Sequence, residues 1–153
     1  MQATNSFIRP RPAWTHLMLA LHGLLASSYS LAAGLTTDVV GSWRMISHTV
    51  TMSGDKFDSQ AALLQQRPCA AKIRYNLNTD GTYRLDASAS DCDESYKSMQ
   101  QKLYAKTKWR VEGNRITTSA TNFAVGQTYT VTLSGNRMIW VGTDGQGTMV
   151  FQR

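Results

Sequence analysis

From residue 39 to residue 153 the chain is a succession of short apolar–polar alternations separated by breaks rich in Gly, Asn and Asp. A period of two puts successive side chains on opposite faces of a strand. Residues 39–52 read as a long first strand, with Trp43, Met45 and Ser47 on one face and Arg44, Ile46 and His48 on the other. Ser53-Gly54-Asp55 breaks it. Ser59–Gln66 carries good helix formers and stops before Arg67-Pro68, which predicts one short helix.

Residues 72–77 form the next strand, with Ile73, Tyr75 and Leu77 on one face. Asn78-Thr79-Asp80-Gly81 is a tight turn, because Asp-Gly supports positive φ. Residues 82–87 return with Tyr83 and Leu85 inward. Residues 88–95 are polar and read as a loop, and 96–101 are ambiguous between strand and helix. Residues 103–112 alternate throughout. Leu103, Ala105, Thr107, Trp109 and Val111 face one way, and Tyr104, Lys106, Lys108 and Arg110 the other, the mark of a sheet wet on one side. Three further strands, 115–120, 128–133 and 137–141, lead through a Gly-rich turn to a last one at 149–153.

Seven or eight short strands joined by tight turns favour antiparallel neighbours. An open sheet of this length exposes two edges, and closure into an up-and-down barrel removes them. Trp43 on the first strand and Arg153 on the last are then placed to stack, guanidinium on indole, at one end. A two-sheet sandwich is the competing architecture.

The start of the chain changes the compartment. Residues 1–15 hold Arg9 and Arg11 and no acid, residues 17–26 are an apolar run, and Ser30-Leu31-Ala32-Ala33 supplies small residues. That pattern reads as a cleaved secretory signal over residues 1–33. The run is too short to span a membrane, which needs about 20 residues. A disordered tail with one buried helix is the alternative. Residues 34–153 then form a single domain, large enough for its own core. A periplasmic or secreted location follows.

Net charge is +6 and drops to +4 with the loss of Arg9 and Arg11. The remaining basic residues are dispersed, as on a solvated barrel exterior, although an anionic surface would meet the same pattern. No basic run with interleaved aromatics points to nucleic acid. In an oxidising compartment, Cys69 and Cys92 are expected to pair, and a loop of this size gains about 3 kcal/mol. Without export they are two free thiols. No metal or cofactor is expected: C-x-x-C spacing is missing, and His48 is the one histidine after residue 33.

Gly41-Ser42-Trp43, Cys69, Asp80-Gly81-Thr82-Tyr83, Cys92, Trp109 with Gly113-Asn114, and Val150-Phe151-Gln152-Arg153 occur in an order that resembles bacterial lipocalin-like domains of the calycin group. The resemblance covers nearly all of residues 34–153. It implies an all-β, antiparallel, eight-stranded up-and-down barrel. It also implies that Trp43 stacks on Arg153 at the closed end and that Cys69 pairs with Cys92. Lipocalin-type barrels often hold a small apolar ligand, so a binding role is an expectation. The chain lacks the TDY motif of animal lipocalins.

Catalytic signatures are sparse. His48 stands alone and is expected to be exposed, so no hydrolytic triad is evident. No phosphate loop follows a strand. The acidic residues Asp86, Asp91, Asp93 and Glu94 lack the spacing of a calcium loop and read as a polar loop. The protein is therefore read as non-enzymatic. Met45, Tyr75, Tyr83, Trp109, Tyr129, Trp140 and Phe151 are the candidate interior, either lining a ligand cavity or filling the barrel. Trp43 and Arg153 are assigned to structure. The alternative function is an envelope interaction module, an inhibitor or accessory subunit, whose barrel is filled and whose loop at residues 88–95 meets a protein partner.

Overall fold

The computed structural model describes residues 30–143 and 145–153, with side chains from Leu35 onward except at position 144. Residues 1–29 of the expected signal lie outside the described residues, and the expected boundary after residue 33 falls within the first helix. Helix α1 spans Ser30–Val39 and β1 spans Gly41–Met52. A hairpin leads to β2 (Asp55–Asp58), α2 (Ser59–Gln66), a 3-10 turn (Pro68–Lys72), β3 (Arg74–Leu77) and β4 (Tyr83–Asp86). Helix α3 (Glu94–Leu103) precedes β5 (Lys108–Glu112), β6 (Arg115–Ser119), β7 (Gln127–Ser134), β8 (Arg137–Gly142) and β9 (Thr148–Gln152).

All strand pairs are antiparallel, and the strand order is β4-β3-β1-β9-β8-β7-β6-β5. The first and last strands thus lie side by side in the middle of the path, as the sequence pattern required. The two ends of the path meet between β4 and β5. Tyr83 N donates to Thr107 O at 2.9 Å, and Trp109 N donates to Gly81 O at 2.8 Å. The Arg84 guanidinium reinforces this seam by donating to the carbonyls of Thr107 (2.6 Å), Tyr83 (2.9 Å) and Tyr104 (3.2 Å). Eight strands therefore form one nearly closed barrel, not a sandwich. The short β2 pairs only with the far half of β1.

Four expectations need correction. Among the described residues, three α-helices are present instead of one. Strand β1 starts at Gly41, because Val39 closes α1. Residues 103–107 are not strand: α3 runs to Leu103, which is 62% exposed, and β5 starts at Lys108. Asp93 explains this helix, since its carboxylate accepts from Tyr96 N and caps the first turn. Tyr104, expected on the outer face, instead packs against the core.

The fourth correction is His48. The β1–β9 register shifts between Met45 and Ser47, so Ile46 is a bulge. One extra residue flips every later side chain to the other face. Met45 faces Phe151 and His48 faces Met149, and both partners belong to the core. His48 is therefore half-buried on the inner face, not exposed.

The lower barrel is filled. Trp43, Trp140, Phe151, Leu77, Ile116, Met138 and Val39 have almost no exposed surface. Helix α1 lies against β5 and β7, and Leu35 and Val39 pack on this core. Arg153 lies 4.4 Å from the Trp43 ring, and Trp43 Nε1 donates to Val39 O at 2.8 Å. A smaller apolar cluster of Ala70, Ile73, Leu85 and Ala87 lies beneath Leu63, Leu64 and Tyr96. The Cys69–Cys92 disulfide borders it, with Cα atoms 5.2 Å apart.

A candidate ligand cup at the mouth of the barrel

Above the filled half, the barrel opens into a cup of about 580 Å³. Its floor is apolar: Met45 from β1 and Met149 from β9, each 9% exposed. Tyr75 from β3, Tyr104 after α3 and Tyr129 from β7 form walls. Their rings connect the cup to the core, with Tyr75 5.7 Å from Phe151 and Tyr129 5.4 Å from Trp140. Burial pushes all three phenols above the ordinary tyrosine range, and for Tyr75 the neighbouring Tyr104 and Tyr96 add to it. They are neutral hydrogen-bonding groups at physiological pH. The Tyr129 hydroxyl donates to Gln127 Oε1 at 3.1 Å.

Helix α2 gives the cup Ser59, Gln60 and Leu63, and Asp58 holds that helix in place. The Asp58 carboxylate accepts from Gln60 N and Ala61 N at 3.0 Å each, from His48 N at 3.1 Å and from Ser47 Oγ at 2.7 Å. Partial burial works to raise its pKa, but these hydrogen bonds outweigh it and hold the carboxyl below its ordinary value.

The rim is latched by His48. Its Nε2 lies 3.2 Å from Gln146 O, and its Nδ1 lies 3.0 Å from Ser59 Oγ. A carbonyl only accepts, so Nε2 carries a proton. Nδ1 then accepts from the Ser59 hydroxyl in the neutral ring. In the imidazolium, Nδ1 donates instead and Ser59 turns to His48 O, 3.1 Å away. The latch thus joins α2 to the β8–β9 loop in either state. It is not a hydrolytic triad. No carboxylate bonds the imidazole among the described residues, and Nε2 is committed to a backbone carbonyl.

Of the seven interior candidates, Met45, Tyr75 and Tyr129 line the cup. Tyr83, Trp109, Trp140 and Phe151 lie in the packed core below it. Sequence reasoning did not propose His48, Gln60, Leu63, Tyr104, Gln127 or Gln146 for this site. The helix cap at Asp58 was the available signal for Gln60 and Leu63. The acidic loop residues serve structure: Asp93 caps α3 and pairs with Arg67, Asp91 pairs with Lys72, and Glu94 pairs with Lys97. No group of three metal-ligating side chains occurs among the described residues. A second depression, lined by Ser98, Met99 and Leu103, lies on the outer surface of α3 alone. The cup is the better candidate, because β1, α2, β3, β7 and β9 together build it.

A nearly closed, eight-stranded antiparallel barrel is consistent with a lipocalin-like fold. A family model for the lipocalin-like domain matches residues 39–140, about two thirds of the chain, and the protein belongs to that family. No curated protein and no solved structure gives a match.

Proposed function

We propose that this protein binds a small ligand in the cup, as an exported, non-enzymatic member of its family. The carrying observation is the division of the barrel into a packed lower half and an open upper volume of about 580 Å³. That volume is in the range of small-molecule sites, which combine apolar walls with a few fixed polar groups. The disulfide supports an oxidising compartment, periplasmic or extracellular. No helix among the described residues is long and apolar enough to cross a membrane.

The test is native mass spectrometry on protein purified under mild conditions from its own host, beside a Leu63→Trp variant that fills the cup. A noncovalent mass present in the first and missing in the second supports binding. A bare polypeptide in both overturns it and favours action through the surface.

A further inference from the structure

The cup is polar and carries no permanent charge on its wall among the described residues. Among the described residues, its wall holds no Asp, Glu, Lys or Arg, although the chain carries 26 such residues and a net charge of +6. Two charged residues near the cup are committed elsewhere. Asp58, beside Ser59, is consumed as the cap of α2. Arg84, bonded to Tyr104 O, spends its guanidinium on three carbonyls of the seam. The polar groups that remain are amides and hydroxyls: Gln60, Gln127, Gln146, Tyr75, Tyr104 and Tyr129. An amide offers donors and acceptors at once, and a phenol both gives and takes one hydrogen bond.

While the His48 imidazole is neutral, a charged ligand entering such a site loses its water and finds no counter-charge, a large cost. A wholly apolar ligand leaves amides and hydroxyls without partners when it displaces their water. Resting on the ligand-binding reading, we propose that the cup selects uncharged molecules that carry neutral donor and acceptor groups, and that it rejects anions despite the positive charge of the protein. The excess of basic residues lies on the barrel's exterior, as at Lys108 and Arg110, and does not reach the floor formed by Met45 and Met149.

Two probes with one skeleton separate the alternatives. N-phenyl-1-naphthylamine is neutral and has an N–H donor, and 8-anilino-1-naphthalenesulfonate adds one sulfonate. Both are titrated by fluorescence at pH 8, above the ordinary imidazole range, against the folded chain and Leu63→Trp. Only signal lost in Leu63→Trp counts as cup binding. The expected result is binding of the neutral probe at least tenfold tighter than the sulfonate. Gln127→Lys, at the exposed rim, is expected to raise sulfonate affinity at least tenfold by supplying the missing counter-charge. Equal or tighter sulfonate binding by the unaltered protein overturns the selectivity and leaves the cup reading standing. Binding of neither probe, or binding that Leu63→Trp leaves intact, overturns the cup reading itself.

Discussion

The guanidinium of Arg153 lies 4.4 Å above the indole of Trp43, so the last residue of the chain covers the first strand of the barrel. The same side chain donates to Asp38 O at 3.2 Å and Val40 O at 3.5 Å. Arg153→Ala removes the stack and both hydrogen bonds, and is expected to cost about 1 kcal/mol, a loss of several degrees in Tm. Calorimetry checks this. An unchanged Tm would mean that the stack is incidental to closure.

Gly147 sits at φ +77, and a Cβ there would run into Thr49 O and lie 2.8 Å from Val50 Cγ1. Gly147→Ala combines left-handed strain with a backbone clash and is expected to cost about 2–4 kcal/mol. It also displaces Gln146, whose carbonyl holds His48. Chemical denaturation gives the first effect, and faster amide exchange at residues 145–147 gives the second.

The disulfide fastens the turn after α2 to the loop before α3, and each helix leads a residue into the cup, Leu63 and Tyr104. Reduction is expected to lower stability by about 3 kcal/mol on the loop-closure argument. It is also expected to loosen the cup at temperatures where the barrel stays folded. Melting with and without reductant, alongside naphthylamine titration, reads both effects. An unchanged melt would show that folding does not depend on the bridge.

Alkaline pH provides a signed test. The phenols of Tyr75, Tyr83, Tyr104 and Tyr129 all have their pKa raised by burial. Above about pH 10 the unfolded chain releases protons that the folded chain retains, so stability falls with rising pH. Below pH 10 this contribution is fully present. Tm should therefore be flat through neutrality on this account and decline above about pH 10, with Tyr83→Phe reducing the slope. Delayed appearance of phenolate absorbance until unfolding would be the matching spectroscopic sign.

The barrel was legible because its hairpins write themselves locally. Asp80-Gly81 and Gly113-Asn114 mark turns, and Tyr129, Val131 and Leu133 alternate against three threonines. The cup was much less legible. A single bulge at Ile46 turned His48 inward, and nothing in the side-chain pattern marks where an extra residue enters a ladder. Leu103, Ala105 and Thr107 imitate a strand, yet the cap at Asp93 commits the preceding segment to helix and sends Tyr104 to the mouth. Periodicity reports which face a residue prefers. It does not report how high along the barrel the residue sits, and that height separates Tyr75 in the cup from Tyr83 in the core.

The contact of Arg153 with Asp38 and Val40 has a geometric corollary for how the molecule is held. The chain enters the barrel and leaves it at one pole, and the mouth opens at the other. Whatever is joined after Arg153, whether a tag, a surface or a neighbouring domain, hangs from the sealed base. A tethered barrel of this design keeps its opening turned outward, free for exchange with the surrounding fluid.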